Sequence, residues 1–202
     1  MQLRAENLTC HRGGREVFAG LNFSLGAGQA LMVTGRNGAG KSSLLRTIVG
    51  LVRPTKGEVR LEGGRAEASI AEQSHFLGHY DAIKPALSVS ENLAFWARYL
   101  GPDSNISSVS AALEAVELAG LSDLPAAYLS AGQRRRLSLA RLVAIKRPIW
   151  LLDEPTTALD LLAQQRLTAL MQAHLQDGGL VLAATHGPIG LENTREMRMG
   201  PA

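Results

Sequence analysis

The sequence predicts an α/β fold with a mostly parallel sheet, an antiparallel β part before it and a helical insertion. Apolar runs at Ala30–Thr34, Ile149–Leu152 and Leu180–Thr185 have the length and composition of buried parallel strands. Helical patterns follow the first two runs, as in β/α units. Between the first and second runs, the stretch from about residue 79 to residue 146 is typical of successive capped helices.

Residues 1–34 are rich in β signals, and their apolar positions stand near glycine turns. The strand Ala30–Thr34 ends at Gly35, and a helix is predicted over Ser42–Gly50. A turn around Pro54 then leads to a predicted strand over Glu58–Leu61. The apolar positions of the first part are Val17, Phe18, Leu21, Phe23 and Leu25.

The helical insertion shows three helix signals. Ser88 and Glu91 have capping-box spacing before a helix to about Leu100, which Gly101-Pro102 is expected to end. A second helix is predicted over Ala111–Ala119, closed by Gly120. The third signal is Ser130, which can cap a helix. Outside the insertion, after the strand at 149–152, a further helix is predicted over Leu159–Leu175.

Length and composition argue against several classes of protein. The chain has 202 residues, of which 46% are hydrophobic and 19% charged, so we expect a single globular domain, 1–202. A net charge of +3 is weak support for a nucleic-acid binder, despite a calculated pI near 9.3. The single cysteine, Cys10, allows neither an internal disulfide nor a cysteine zinc site.

The beginning of the chain, MQLRAENL, lacks an apolar stretch, so we expect no signal peptide. No run of apolar residues is long enough to span a bilayer. We therefore expect a soluble cytoplasmic protein that reaches a membrane only through a partner.

The most specific motif lies between the strand Ala30–Thr34 and the helix after it. Gly35-Arg36-Asn37-Gly38-Ala39-Gly40-Lys41-Ser42 matches the Walker A pattern, and Ser43 follows it. Glycines let the backbone N–H groups face phosphate oxygens, and the helix N-terminus adds partial positive charge. Lys41 is predicted to reach the β- and γ-phosphates, and the Ser42 hydroxyl is predicted to bind Mg²⁺.

A second motif, Ile149 to Glu154, is an apolar strand that ends in two acids. In P-loop enzymes the Asp at such a strand end holds Mg²⁺, which assigns Asp153 to the metal. Successive strand residues point to opposite sides, so Glu154 is expected to have a different task. We predict that Glu154 polarises the attacking water as general base.

These motifs and three more occur in the order of the ABC-type ATPases, which the chain resembles over nearly its whole length. Leu129-Ser130-Ala131-Gly132-Gln133 is similar to the family signature LSGGQ, with Ala131 at the second small position. Ala158-Leu159-Asp160 resembles the D-loop, and Thr185-His186 the switch histidine. The implied fold is a P-loop ATPase core (1–78 and 147–202, with the antiparallel β part) plus a helical lobe (about 79–146).

The resemblance implies how the motifs work. Two ATP molecules are expected between two copies of the chain, each held by Walker A of one copy and by Ser130, Gly132 and Gln133 of the other. His186 is expected to contact the γ-phosphate and Asp160 to couple the two sites. The neighbouring arginines 134–136 fan around a helix at 100° per residue. We expect them to support the phosphate site or to solvate the surface, without a nucleic-acid role.

Two positions depart from the family pattern. Counting back from Leu87-Ser88-Val89, the position of the family's Mg²⁺-contacting glutamine falls on His79, whereas Gln73 lies too far upstream. A histidine can bind metal-bound water but changes charge near neutral pH, so a different pH dependence is expected. The aromatic residue that stacks on adenine is replaced by Arg12, whose planar group can also stack; Phe18 is a second candidate, though better suited to the core.

Within the family, the small size and the Arg12, Gly78-His79 and signature residues are most similar to haem-exporter ATP-binding subunits of bacterial cytochrome c maturation. The implied location is the cytoplasmic face of the inner membrane, with integral-membrane partner subunits. No direct haem site is expected, because the five histidines are scattered and no CxxCH exists. On the helical lobe, Leu93, Phe95, Trp96, Tyr99 and Leu100 form either a partner groove or helix core.

Two alternatives remain open from the sequence. One is the ATPase of another small-molecule exporter. The other is a soluble regulatory or nucleic-acid-linked ABC ATPase.

Overall fold

Backbone contacts divide the chain into two units. The computed structural model describes residues 1–101, 106–192 and 194–200. The first unit comprises Met1–Gly78, Pro148–Pro155 and Met171–Ala202, and the second comprises His79–Arg147 and Thr156–Leu170. The second unit thus includes the segment after the acidic pair as well as the helical insertion.

An antiparallel three-stranded sheet forms the first part of the first unit. Its strands are β1 (Gln2–Arg12), β2 (Arg15–Gly26) and β4 (Lys56–Glu62), in the order β2-β1-β4. This sheet confirms the antiparallel β part predicted from the turn-flanked apolar residues. Leu3, Leu8 and other side chains of its inner face are buried against the rest of the first unit.

The second sheet of this unit has five parallel strands in the order β5-β6-β7-β3-β8. The residues of β6 and β7 are all buried, which is why they read as continuous apolar runs. The prediction of a mostly parallel core is confirmed. The strands are β3 (Ala30–Thr34), β5 (Ser74–Leu77), β6 (Ile149–Asp153), β7 (Leu180–Ala184) and β8 (Arg195–Arg198).

Helix α1 (Lys41–Ile48) begins directly after the loop that follows β3. Its Leu44, Leu45 and Ile48 side chains are buried in the core of the first unit. This i, i+1, i+4 spacing places one apolar face on the sheet. The packing therefore fixes where the helix N-terminus lies relative to the ends of the strands.

The second unit has its own apolar core, made by α2 (Val89–Leu100), α3 (Ile106–Ala115) and α4 (Ala131–Ala144). Ser88 and Glu91 form the predicted capping box at the start of α2. Gly101 donates its N–H to Ala97 at the helix end, whereas Pro102 lies outside the described residues.

The predicted bounds of two helices were wrong. Helix α3 covers Ile106–Ala115 rather than Ala111–Ala119, because Glu117 turns into the left-handed region (φ 56°) and the Leu118 N–H bonds back to Leu113. Helix α5 covers Leu161–Gln176 rather than Leu159–Leu175. It begins later because the Asp160 side chain accepts from Ala163 N–H at 2.8 Å and acts as the cap.

No helix within residues 1–101, 106–192 and 194–200 has the length and hydrophobicity needed to cross a membrane.

Candidate functional site

The loop between β3 and α1 adopts a glycine-dependent conformation. Gly35, Gly38 and Gly40 have φ values of 139°, 82° and 99°, which L side chains rarely adopt. A Cβ on Gly35 would lie 2.4 Å from the Met199 carbonyl oxygen, and one on Gly40 would lie 2.7 Å from Val17. Both glycines are therefore required by packing as well as by φ, while the Gly38 position is open on its outer side.

The rest of the predicted phosphate-binding loop is exposed where a ligand would need it. Arg36 and Asn37 are exposed and Ala39 is half-buried, with the Ala39 N–H bonded to the Arg36 carbonyl at 3.1 Å. The first N–H groups of α1, at Lys41, Ser42 and Ser43, precede any helical carbonyl partner. The loop and the helix N-terminus thus form a surface of donors suited to an anion.

Lys41 is the buried cation of this loop. Its side chain is 7% exposed, and its Nζ donates to the Gly35 carbonyl at 2.9 Å and the Arg36 carbonyl at 3.4 Å. The same nitrogen lies 3.1 Å from His186 Nε2. A positive charge held under the loop by carbonyl oxygens is placed to balance phosphate charge.

Ser42 and Asp153 meet at the carboxyl end of β6. The Ser42 hydroxyl donates to Asp153 Oδ1 at 2.9 Å, and Asp153 is 3% exposed. Hydroxyl and carboxylate oxygens are the ligands that Mg²⁺ prefers, so the donor set fits this ion. No cluster of three or more His, Cys, Asp or Glu in the described ranges forms a ready metal cage. In proteins, Mg²⁺ usually keeps several waters and binds substrate phosphates besides one or two carboxylates.

Glu154 and His186 form a second contact beside the first. Glu154 has a left-handed backbone (φ 46°), and its N–H bonds to the Ala184 carbonyl at 2.8 Å. Its Oε1 lies 3.3 Å from His186 Nε2. A left-handed non-glycine residue at such a place is strained and is often kept for function. Asp153 and Glu154 thus have different partners, in line with their predicted division of tasks.

The signature segment (Leu129–Gln133) begins α4 in the second unit. The Ser130 hydroxyl accepts from the Gln133 N–H at 3.2 Å, and Gln133 Oε1 accepts from the Ser130 N–H at 2.8 Å. This is a capping box, which the prediction of a Ser130 cap had assigned only in part. The Ser130 hydroxyl proton stays available for a further acceptor, because in this bond the oxygen accepts.

Gly132 packs against the predicted D-loop within the same unit. A Cβ at Gly132 would lie 2.9 Å from the Ala158 carbonyl oxygen, a backbone atom that cannot easily move away. Ala158 itself has a left-handed backbone (φ 63°). The structure therefore brings two predicted motifs, the signature segment and the D-loop, into contact, and Asp160 follows as the cap of α5.

The three arginines after the signature segment have partners within the second unit. Their expected support of the phosphate site stays a prediction, whereas the buried Arg135 does not solvate the surface. Arg134 donates to the Leu129 carbonyl at 2.6 Å. Arg135 is 4% exposed and pairs with Asp81 at 3.3 Å. Arg136 lies 3.5 Å from the Glu117 carboxylate. The fan geometry was right, but each guanidinium finds a carbonyl or carboxylate of its own unit.

His79, the residue at the expected glutamine position, is exposed and belongs to the second unit. Its ring meets that of Tyr80 edge-on, with centroids 5.6 Å apart. Gln73 is 2% exposed, and its side chain bonds to the backbone of Arg65 and Ala68. The Gln73 side chain therefore holds a loop of the first unit in place. This structural role agrees with its exclusion, on spacing, from the position of the Mg²⁺-contacting glutamine.

Arg12, the second departure, is exposed at the end of β1 and pairs in register with Arg15 across the hairpin. Its assignment to adenine stacking remains a prediction. Phe18 is 8% exposed and belongs to the core of the first unit, and its ring lies 3.3 Å from the Cβ position of Gly40. Phe18 thus packs under the phosphate-binding loop.

The aromatic and aliphatic side chains proposed for a partner groove divide into two sets. Leu93 is 1% exposed and belongs to the core of the second unit, so it is unavailable to a partner. Phe95 and Tyr99 are exposed, and their rings stack with centroids 6.2 Å apart. Leu100 packs on the core, and Trp96 Nε1 donates to the Ala82 carbonyl.

Two positions beside the phosphate-binding loop were missed from the sequence. Val17 and Met199 supply the atoms that close the space above Gly35 and Gly40. Nothing in an isolated Val or Met indicates such a neighbour, because the contacts come from the N-terminal sheet and from the residue after β8.

Taken together, the parallel sheet, the glycine loop around Lys41 and the Ser42–Asp153 contact define the nucleotide site of a P-loop ATPase. The ABC transporter family model matches residues 18–157. A cytochrome c biogenesis ATP-binding export protein, CcmA, of Rhodopseudomonas palustris (strain BisB5) is 56% identical over 202 residues, covering all of both chains.

Solved structures share the fold. An ATP-binding subunit of an ABC transporter superposes with a TM-score of 0.88 at 22% identity, over 98% of this chain and 86% of the other. A dimeric ATP-binding cassette bound to ADP and Pi, in a post-hydrolysis state, gives 0.80 at 24% identity, over 92% and 88%. The chain belongs to the ABC transporter family, among its cytochrome c biogenesis ATP-binding export proteins.

Proposed function

We propose that the chain is the ATP-hydrolysing subunit of an export complex of cytochrome c biogenesis, with ATP and Mg²⁺ as ligands. The observation that carries the proposal is the meeting of Lys41, Glu154 and His186, linked by distances of 3.1 and 3.3 Å, beside the Ser42–Asp153 contact. The full-length identity to a cytochrome c biogenesis export protein supports the assignment to that process.

Phosphate binding uses the donors of the glycine loop. The Nζ of Lys41 exchanges carbonyl partners for phosphate oxygens, and the N-terminal N–H groups of α1 bond to the same anion. Ser42 and Asp153 would hold Mg²⁺, which when bound supplies positive charge for the phosphate oxygens.

Hydrolysis needs a base and a group that orients the γ-phosphate. The Glu154 carboxylate accepts a proton from water as the water oxygen forms its bond to phosphorus and the bond to the leaving ADP oxygen breaks. His186, whose Nε2 lies 3.3 Å from Glu154 Oε1, donates a hydrogen bond from that nitrogen to the γ-phosphate when ATP is bound. Asp153 is occupied with Ser42, so the two acids do not compete.

A second copy of the chain completes the site in this proposal. The signature segment presents the Ser130 hydroxyl and the first N–H groups of α4, which suit an anion held by another subunit. One of the cassettes that share this fold is a dimer with ADP and phosphate, which supports the same assembly here. Asp160, beside the signature contact of Ala158, would couple the two sites.

The names of the relatives, which give an export role in cytochrome c biogenesis, support a proposal for the cargo and the location. We infer that hydrolysis powers haem export, or release of a haem-loaded chaperone, through integral-membrane subunits at the cytoplasmic face of the bacterial inner membrane. The subunit itself would be peripheral and would not bind haem. The exposed Phe95 and Tyr99 of α2 are candidates for contact with the membrane partner.

The experiment is an affinity capture of tagged Glu154→Gln in mild detergent with ATP, because this change slows hydrolysis and holds the closed dimer. The matched control is Lys41→Ala, which removes the main phosphate cation and should abolish the ATP-dependent part of the capture. Captured proteins are identified by mass spectrometry, and the haem absorption of the eluate is recorded.

Haem-handling membrane subunits captured with ATP would support the whole proposal. Permeases unrelated to haem would leave the ATPase mechanism intact and overturn the cargo. Capture of no membrane protein would favour a soluble ABC ATPase, which stimulation of hydrolysis by DNA or RNA would then test.

A further inference from the structure

Two buried arginines of α4 lie near one carboxylate from the segment after β5. Arg135, 4% exposed, donates its Nη1 to Asp81 Oδ1 at 3.3 Å. Burial lowers the pKa of Arg141 to about 10, and the nearby Asp81 raises it while Arg135 lowers it further. Buried charges persist in proteins only where they are paired, so Asp81 is the counter-charge for this part of the helix.

The backbone beside Asp81 is held from a second side. Trp96 Nε1 donates to the Ala82 carbonyl at 3.0 Å, and the Arg141 guanidinium lies over the Trp96 ring at 4.8 Å. Ala82 has a left-handed backbone (φ 52°), which a non-glycine residue keeps only where its surroundings enforce it. The Asn92 side chain also bonds to both N–H and C=O of Lys84. The segment from Asp81 to Lys84 is therefore fixed to the helices of the second unit.

The two ends of the Asp81–Arg135 contact lie two positions from residues with assigned roles. Asp81 follows His79 by two positions, and Arg135 follows Gln133 by two, in the first turns of α4. We propose that Asp81 and Arg135 are a positioning pair. Their contact ties the segment that contains His79 and Asp81 to the start of α4, where the signature segment lies, and ATP turnover depends on this tie. The second half of the proposal rests on the proposed function.

The same unit contains a matched control. The Glu117 carboxylate also contacts two arginines, Arg136 at 3.5 Å and Arg166 in a short hydrogen bond. This cluster joins the turn after α3 to α4 and α5, and its contacts do not include the segment from Asp81 to Lys84. Glu117→Gln therefore weakens a carboxylate with two arginine partners without touching the proposed tie.

The first measurement is amide hydrogen exchange of the full chain, read by mass spectrometry on peptides covering 79–88 and 129–136. Asp81→Asn is expected to speed exchange in both peptides by about threefold or more, because each loses one of the contacts that hold it. Asp81→Glu should restore most of the protection, and Glu117→Gln should leave 79–88 unchanged. Faster exchange in 79–88 alone, or in neither peptide, would overturn the tie.

Arg135→Met keeps the test valid if Asp81→Asn does not fold. It removes one buried charge and leaves Asp81 beside Arg141, so the unit retains a paired carboxylate. Its expected exchange pattern is the same as that of Asp81→Asn. Unchanged exchange in 79–88 for folded Arg135→Met would contradict the proposal.

The second measurement is steady-state ATP hydrolysis with ATP binding by calorimetry. Asp81→Asn or Arg135→Met should lower kcat by about tenfold, as expected for a coupling of ordinary size, and leave the Kd for ATP unchanged. Wild-type kcat in a variant with altered exchange would overturn the dependence of turnover on the tie. If Glu154→Gln hydrolysed ATP at the wild-type rate, the proposed function would have failed. The hydrogen-exchange result alone would then show whether the Asp81–Arg135 contact ties the two segments.

Discussion

Replacement of Glu154 is expected to stop ATP hydrolysis while leaving ATP binding intact. Its carboxylate contacts His186, whereas Lys41, Ser42 and Asp153 form the contacts assigned to phosphate and metal. Replacement by glutamine preserves the shape but removes the basic oxygen, so kcat should fall by about a thousandfold. Phosphate release measures the loss, and calorimetry should show an ATP Kd within about twofold of wild type. Equal loss of binding would contradict the assignment.

Gly132 offers a test of the contact between the signature segment and the D-loop. An added Cβ would lie 2.9 Å from the Ala158 carbonyl oxygen, so Gly132→Ala must move one backbone against the other. We expect a stability loss of about 1 kcal/mol, as for mild overpacking, and a fall in kcat of about tenfold. Urea unfolding and ATP hydrolysis measure the two effects.

Gly120→Ala is the matched control for this substitution, because nothing lies within 4 Å of a Cβ at that position in the same unit. Its hydrolysis should equal that of wild type. Wild-type hydrolysis in Gly132→Ala as well would show that the contact with Ala158 has no part in turnover.

At the residue scale, the roles of side chains that belong to a motif could be predicted from the sequence. Contacts between side chains far apart in the sequence could not. Lys41, Ser42, Asp153 and Glu154 were predicted from their motifs. In the structure Lys41 donates to the Gly35 carbonyl and Ser42 to Asp153, while Glu154 contacts His186. The pairing of Arg135 with Asp81 had no local signal, because the two residues are 54 positions apart.

At the scale of elements, two capping boxes begin helices of the same unit, but only one belongs to the signature segment. Ser88→Ala and Ser130→Ala each remove a side-chain acceptor from the N3 backbone N–H. Each should lower the free energy of unfolding by about 1 kcal/mol. Only Ser130→Ala should lower ATP turnover, since its hydroxyl is also assigned to phosphate; equal turnover in both variants would count against that role.

The elements that could be predicted were those with apolar runs or caps. Strands β6 and β7 are buried throughout, β3 is mostly buried, and α2 and α4 carry capping boxes. Strand β5 (Ser74–Leu77) was missed because its buried Ser74 and His75 are polar. Strand β8 (Arg195–Arg198) was missed because it is a charged strand at the sheet edge, paired only with β3 in the described sheet.

For the whole molecule, the half-buried His174 predicts how stability depends on pH. The His174 ring stacks on Trp150 with centroids 4.0 Å apart, and a Cβ on Gly179 would lie 2.2 Å from its Nε2. Burial lowers the pKa of His174 below 6.5, so the unfolded chain binds the proton more readily. The free energy of unfolding should therefore be unaffected by this group at high pH and fall as pH drops below about 6.5.

Urea unfolding followed by circular dichroism at pH 7.5 and pH 5.5 measures this effect. His174→Phe keeps an aromatic ring against Trp150 and should lose less stability between the two pH values than wild type does. The difference between the two proteins removes the contributions of the other histidines. An equal loss in both would mean that His174 does not contribute to the acid sensitivity.

The stack of Trp150 on His174 has a spectroscopic consequence. The chain has two tryptophans, Trp150 in β6 of the first unit and Trp96 in α2 of the second, where the Arg141 guanidinium covers it. Each unit thus contains one fluorescent tryptophan. Trp96→Phe leaves tryptophan fluorescence from the first unit alone, and Trp150→Phe leaves it from the second unit alone. Denaturation followed by emission in these two variants will tell whether the units melt in one cooperative step or in succession.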